Sequence, residues 1–140
     1  MKPREKSRGG AARPCILIVD DHEPVRARLS VLLIGAGYEV LLASEGARAL
    51  QLATANRCDL VLLEVDLPDM CGLQLCHRLR AHPGLALMPV VFMSRRPDGN
   101  MIRLMDQTAH ARFLPKPMPG NILLPALQAA LHEASCAAGE

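Results

Sequence analysis

Short runs of apolar and β-branched residues alternate along the chain with longer stretches in which apolar residues recur at helical spacing. Five runs predict strands, and they cover residues 16–19, 38–43, 60–63, 90–93 and 112–114. The first run is apolar throughout, as in a central strand that is buried on both faces. Repeated strand–helix units are typical of a parallel sheet with helices on both sides. We therefore predict an α/β fold built on a five-stranded, doubly wound parallel sheet.

The stretches between these runs predict five helices. Pro24 suits the first turn of helix one, and Ser44 is placed to cap helix two. A short third helix follows a loop rich in Pro and Gly, and a fourth covers about 100–107. The last helix is predicted over about 123–135, because a proline inside a helix is tolerated in the first turn and Pro125 must then lie there.

The composition predicts a single soluble globular domain. The chain has 140 residues, of which 50% are hydrophobic and 21% charged. Its longest uncharged apolar run, 122–131, is shorter than the roughly 20 residues of a membrane helix. The first thirteen residues are basic and lack the apolar stretch of a secretory signal, so we expect a cytoplasmic protein. We predict a flexible basic leader at 1–13, the domain at 14–135 and a short tail at 136–140.

The five cysteines are an odd number, with no CxxC pair and no histidine at the spacing of zinc ligands. We expect reduced thiols, with Cys15 and Cys58 as small core residues beside apolar runs.

Polar side chains stand where the predicted strands end. Asp20 and Asp21 follow strand one, Glu64 ends strand three, Ser94 ends strand four and Lys116 follows strand five. The carboxyl ends of parallel strands meet at one edge of the sheet, which is where ligands bind in such folds. Carboxylates gathered there favour Mg²⁺, while a lysine and a hydroxyl suit a phosphoryl anion. This combination points to the chemistry of phosphoryl transfer.

At these positions the chain resembles the receiver domain of two-component response regulators, over roughly 14–134. The motifs that agree are the paired acids Asp20-Asp21, the run 60–72 with its Leu67-Pro68-Asp69-Met70 segment, Ser94 and the pair Lys116-Pro117. The resemblance implies a flavodoxin-like sheet in the order 2-1-3-4-5.

In such domains paired acids help to hold Mg²⁺, an aspartate at the end of strand three accepts a phosphoryl group from a histidine kinase, and a hydroxyl and a lysine bind its oxygens. By resemblance, a metal would use Asp20, Asp21, the residue at position 64 and the Asp66 carbonyl. Ser94 and Lys116 would bind the phosphoryl group, with Phe113 at the place of the aromatic switch residue. The partner surface would be helix four, strand five and helix five, facing a histidine kinase or another signalling protein.

The chain departs from the family at the phosphoacceptor position, where it has Glu64. The additional methylene moves the carboxylate by about 1.5 Å, and in-line transfer depends on positioning to about an ångström. We therefore expect a poor acceptor whose carboxylate instead pairs with Lys116 or accepts a hydrogen bond from Ser94. Two lesser departures are Arg95 after the switch hydroxyl and Ala109-His110, where the family commonly has Gly-Ala before strand five. Phe113, at the place of the aromatic switch residue, has no hydroxyl to donate.

The leading interpretation is an atypical receiver module that works by protein contacts without phosphorylation, because Glu64 replaces the acceptor. We expect it to stand alone, because about five residues follow the last predicted helix. The first alternative is a conventional Mg²⁺-dependent phosphoacceptor using Glu64 or a neighbouring acid. A small Mg²⁺-dependent phosphohydrolase is the second, although we predict no enzyme. The sequence argues against a membrane or nucleic acid as partner, and it leaves open whether the domain forms a homodimer.

Overall fold

A computed structural model describes residues 13–96 and 98–138 of the chain. The predicted leader lies outside the described residues except for Arg13. The strands are β1 (Cys15–Val19), β2 (Glu39–Ala43), β3 (Leu60–Glu64), β4 (Val90–Ser94) and β5 (Ala111–Pro115). The helices are α1 (Glu23–Gly35), α2 (Gly46–Ala55), α3 (Gly72–Arg80), α4 (Gly99–Asp106) and α5 (Gly120–Ala138), and a 3₁₀ turn covers Pro83–Leu85.

The five strands form one sheet in the order β2-β1-β3-β4-β5, which confirms the predicted topology. All neighbouring strands are parallel. Each observed strand lies within one residue of its predicted bounds at either end. Continuous apolar runs predicted the strands well because a strand that is covered on both faces has no polar side to interrupt the pattern.

The core lies in two layers, one on each side of the sheet. Alternate residues of β1 show the division, because Leu17 and Val19 pack in one layer and Ile16 and Ile18 in the other. The first layer is covered by α2, α3 and α4, and the second by α1 and α5. The four β1 side chains from Ile16 to Val19 are fully buried. Burial of this kind stabilises the fold by about 1.5–3 kcal/mol for each large aliphatic side chain.

Helix α2 is capped differently from the prediction. Its N-cap residue is Glu45 rather than Ser44, and neither the Glu45 side chain nor a neighbouring one in sequence caps it. The two oxygens of Asp69 instead accept hydrogen bonds from the backbone N–H groups of Gly46 and Ala47, at 2.8 and 3.0 Å. The loop after β3 therefore supplies the cap that the prediction placed beside the helix.

The prediction for the last helix was also wrong. Helix α5 begins at Gly120, where the Pro119 carbonyl accepts hydrogen bonds from the N–H groups of Ile122 and Leu123, and it continues to Ala138. Pro125 therefore lies beyond the first turn. Its missing N–H leaves the carbonyl of Asn121 without a helical donor, but both residues are exposed and water can satisfy that carbonyl.

Arg80, the last residue of α3, is hydrogen-bonded to the backbone just before β4 and just before β5. Its guanidinium donates hydrogen bonds to the carbonyls of Met88 and His110, both at 3.0 Å, and to the carbonyl of Ala109. His110 has a φ of 55°, in the left-handed region that side chains seldom adopt. The guanidinium holds the carbonyls on both sides of this turn, which explains how the chain keeps that conformation.

In the described part of the chain, no helix has the length and apolar character to cross a membrane.

Candidate functional site

The carboxyl edge of the sheet brings three charged side chains together. Asp20 follows β1, Glu64 ends β3 and Lys116 follows β5. The side chains of Asp20, Glu64 and Lys116 are 0%, 8% and 8% exposed, so all three charges are removed from bulk water. We call these residues the acid–lysine cluster. Charged groups are seldom buried without partners, because desolvation costs several kcal/mol for each ion.

Asp20 is held in place through both its backbone and its side chain. Its N–H donates to the carbonyl of Ala43 on β2 at 3.1 Å, which continues the parallel ladder past the end of β1. Its Oδ1 accepts from the N–H of His22 at 2.9 Å, and Arg26 on α1 donates to its carbonyl at 2.7 Å. These contacts leave Oδ2 directed at Lys116, whose ammonium donates to it.

Glu64 divides its carboxylate between its own loop and Lys116. Its Oε2 accepts from the N–H of Asp66 at 2.9 Å, and its Oε1 accepts from the Lys116 ammonium at 2.5 Å. Of the two pairings that the sequence left open, the structure has the one with Lys116. The backbone here is tightly packed, since a Cβ added to Gly72 would lie 3.0 Å from the Glu64 carbonyl oxygen.

Lys116 reaches this position because β5 ends beside β4. The N–H of Lys116 donates to the carbonyl of Ser94 at 2.9 Å, which fixes the backbone from which the side chain extends. The ammonium then lies between Asp20 and Glu64. In this arrangement one positive charge is shared by two negative charges, and the cluster keeps one net negative charge when all three groups are ionised.

The other predicted residues stand around the cluster. The Ser94 hydroxyl oxygen accepts from the N–H of Arg96 at 3.2 Å, so it is turned toward the loop after β4. Arg95 is exposed at this edge. Phe113 on β5 is half-buried and packs against the core layer under α2, α3 and α4. It carries no hydroxyl that could bond across the site.

Two of the four predicted metal ligands lie together, because the side chains of Asp20 and Glu64 both contact the Lys116 ammonium. Asp21 and Asp66 are exposed, in contrast to Asp20 and Glu64. Between residues 13 and 138, Pro97 set aside, no group of three or more His, Cys, Asp or Glu side chains is arranged to hold a metal ion. The buried carboxylates already receive the Lys116 ammonium. A Mg²⁺ ion is usually held by one or two carboxylates and several waters, and it does not fit here while the ammonium lies against both carboxylates.

Sequence reasoning missed two residues that shape the site. Arg26 binds the Asp20 carbonyl from the first turns of α1, and an arginine soon after the paired acids was the available signal. Asp69 binds the start of α2 from 23 residues away in sequence, and no local pattern could reveal this contact. The two N–H donors at the start of α2 lower the pKa of the Asp69 carboxyl below its usual value.

The chain is similar to known proteins of one family. The family model for the response regulator receiver domain matches residues 16–128. Response regulator MprA from Mycobacterium sp. (strain KMS) is 38% identical over 120 residues, which cover 86% of this chain and 51% of that protein. Transcriptional regulatory protein GltR from Pseudomonas aeruginosa is 33% identical over 119 residues, covering 85% of this chain and 49% of GltR. The chain thus spans about half the length of the curated relatives that it matches.

A solved structure shows the same fold. Chemotaxis protein CheY4 from Vibrio cholerae superimposes with a TM-score of 0.80 at 28% identity, covering 85% of this chain and 99% of CheY4. The sheet order is the one that the sequence resemblance implies. With the family match over most of its length, the chain belongs to the response regulator receiver domains, which are signalling modules of two-component systems.

Proposed function

We propose that this receiver domain signals through protein contacts without being phosphorylated at position 64. The observation that carries the proposal is the Lys116 ammonium bound to Glu64 Oε1 at 2.5 Å and also to Asp20. In a phosphorylated receiver the lysine would bind a phosphoryl oxygen. Here a carboxylate of the chain itself supplies the negative oxygen, so the lysine has its partner before any phosphoryl donor arrives.

The position of the Glu64 carboxylate also disfavours transfer. A nucleophile must have a free oxygen lone pair aligned with the phosphorus atom of the donor. Both Glu64 oxygens accept hydrogen bonds in the folded chain, from Asp66 and from Lys116. Each oxygen keeps a second lone pair, but the two hydrogen bonds hold the carboxylate in one orientation. Attack from another orientation would require the buried ion pair to break, which leaves an unpaired charge at a cost of several kcal/mol.

The proposed partner surface is formed by α4, β5 and α5. Leu104 on α4 and Ile122 on α5 are about half exposed, at 52% and 50%. Arg112 on β5 pairs with Glu133 on α5 at 2.6 Å, so the surface also presents fixed charges. Apolar side chains beside polar and charged ones are compatible with a protein interface, whose core is apolar and whose rim is polar. A histidine kinase, another signalling protein or a second copy of the domain would bind there.

Receiver domains typically bind Mg²⁺ at the phosphorylation site, and they are in general signalling modules rather than enzymes. A conventional Mg²⁺-dependent phosphoacceptor is therefore the alternative to test. The experiment is intact-mass measurement after incubation with acetyl phosphate and Mg²⁺, for the natural protein and for Glu64→Asp. We expect no added phosphoryl group on the natural protein and a gain on Glu64→Asp, whose shorter side chain restores the family's acceptor.

A phosphoryl group on the natural protein would contradict the proposal. Peptide mapping would then show whether Glu64 or a neighbouring acid is the acceptor. The matched control is Glu45→Asp, which makes the same chemical change at an exposed residue outside the site. Its mass should be the same before and after incubation with acetyl phosphate.

A further inference from the structure

In the acid–lysine cluster two carboxylates surround one positive charge, as in a cation site, but the cation is a lysine of the chain itself. Asp20 and Glu64 are buried carboxylates from two neighbouring strands, and such a pair requires a positive partner. Lys116 supplies it from β5, with its side chain 8% exposed. The question is whether a divalent cation could occupy the same space.

Each carboxylate oxygen of the pair accepts a hydrogen bond, which engages one of its two lone pairs. Asp20 Oδ1 accepts from the His22 N–H at 2.9 Å, and Glu64 Oε2 accepts from the Asp66 N–H at 2.9 Å. The two remaining oxygens both accept from the Lys116 ammonium. An incoming Mg²⁺ would compete for these oxygens at about 2.1 Å and would be repelled by the ammonium beside it.

The length of Glu64 makes this arrangement possible. One carboxylate oxygen turns back to the N–H of Asp66, two residues along the loop, while the other reaches Lys116. An aspartate has one methylene fewer, and its carboxylate would lie about 1.5 Å closer to the backbone. It could make the contact within the loop, but its contact with the lysine would lengthen and the space between them would open.

From these contacts we propose that Lys116 is the permanent counter-ion of Asp20 and Glu64 and takes the place of a divalent cation, so that the folded domain does not bind Mg²⁺ at this site. The inference concerns the site of the proposed function and rests on the same closed arrangement. It concerns metal binding, however, and can be tested without any phosphoryl donor.

The test is the thermal unfolding midpoint, followed by far-UV circular dichroism, with and without 10 mM MgCl₂, a concentration of order 10 mM being ample for a millimolar site. Salt-matched NaCl samples correct for screening. We expect the natural protein to shift by less than about 1 °C, since a ligand that does not bind the folded state does not stabilise it. Lys116→Met and Glu64→Asp should each gain about 3 °C or more with Mg²⁺, because the first removes the ammonium and the second lengthens its contact with the carboxylate at position 64.

Two outcomes would overturn the inference. The first is a gain of several degrees by the natural protein with Mg²⁺ but not with matched NaCl. The second is the lack of any Mg²⁺ gain in both Lys116→Met and Glu64→Asp, which would show that the lysine is not what excludes the metal. Should Lys116→Met not fold, Glu64→Asp decides alone. Arg28→Met, which removes an exposed cation from α1, is the control and should respond as the natural protein does.

The result is distinguishable from a failure of the proposed function. Mg²⁺ stabilisation of the natural protein without phosphorylation by acetyl phosphate would remove the metal inference and leave phosphorylation-independent signalling in place. Phosphorylation of the natural protein would remove the proposed function, whatever the unfolding midpoints show.

Discussion

The Lys116 ammonium lies 2.5 Å from the Glu64 carboxylate, a contact between residues 52 positions apart in sequence. Glu64 ends β3 and Lys116 follows β5, and β4 lies between these strands in the sheet, so the lysine side chain reaches past one strand to make the contact. A long, flexible side chain thereby joins strands that share no backbone hydrogen bonds. This ion pair is a tertiary constraint on the edge of the sheet as well as the centre of the candidate site.

Removing the lysine charge should destabilise the domain strongly. Lys116→Met leaves Asp20 and Glu64 buried and without a cation, and breaking a buried ion pair from one side costs about 3–5 kcal/mol. Urea unfolding in Mg²⁺-free buffer measures the loss. The double variant Lys116→Met, Glu64→Gln removes one negative charge as well and should recover part of the stability. A loss below about 1 kcal/mol for the single variant would show that the charges are better solvated than their burial indicates.

The Asp69 cap on α2 should make stability depend on pH. Because the pKa of this carboxyl is lowered in the folded chain by two backbone N–H donors, its ionised form stabilises the fold at neutral pH. That contribution is present above the pKa of the unfolded chain and is lost as the pH falls through the lower folded pKa. We expect Asp69→Asn to unfold at a lower temperature than the natural protein at pH 7, with the difference closing toward pH 3.

The control for that series is Asp106→Asn, an exposed acid in the last turn of α4. It removes one charge without removing a cap on another helix. A difference that stays constant between pH 7 and pH 3 for Asp69→Asn would show that packing, rather than the charge of the cap, explains its effect.

Two glycines at helix starts should respond differently to alanine. A Cβ at Gly72 would lie 3.0 Å from the Glu64 carbonyl oxygen and the Val65 Cα, and these backbone atoms cannot move without shifting the end of β3. We expect Gly72→Ala to cost about 1–3 kcal/mol. At Gly46 the added Cβ would meet the end of the Met70 side chain at 2.6 Å, which can rotate away. Gly46→Ala should stay within about 1 kcal/mol of the natural protein, and urea unfolding compares the two.

Gly72→Ala should also disturb the contact between Glu64 and Lys116. A shift of the Glu64 backbone by a few tenths of an ångström would carry its carboxylate away from Lys116. Equal stability losses for the two variants would contradict the contrast drawn between backbone and flexible side-chain neighbours.

Thiol reactivity should divide the cysteines into two classes. Cys71 and Cys136 are exposed, whereas Cys15 and Cys76 are buried. Burial raises the pKa of Cys58 to about 12, and its thiol donates to the Leu60 carbonyl at 3.4 Å. Because the thiolate is the reactive form, we expect two thiols to react quickly with an aromatic disulfide reagent at pH 8 and three to react only after unfolding.

The variant that replaces Cys71 and Cys136 by serine provides the control, since it should lose the fast phase completely and keep the slow one. A third fast thiol would show that one of the interior cysteines is reached by solvent in the folded protein.

The strands and the site edge could be predicted from the sequence because their signals are local. An apolar run followed at once by an acid, as at Val19-Asp20 and Leu63-Glu64, shows both a buried strand and the polar residue at its end. The sheet order came from the resemblance to a family rather than from periodicity. What could not be predicted depends on distant contacts: Asp69 caps a helix 23 residues away. Helix α5 begins three residues before its predicted start, because the Pro119 carbonyl, not Pro125, organises its first turn.

Arg80 connects three carbonyls from two separate segments, Met88 before β4 and the pair Ala109 and His110 before β5. A guanidinium is planar and its donors are fixed relative to one another, so these bonds form and break together. The turn at His110, in its left-handed conformation, should therefore open in an all-or-none step rather than fray residue by residue. Because β5 begins at this turn, the amino end of β5 and α3 would behave as one cooperative unit in hydrogen exchange.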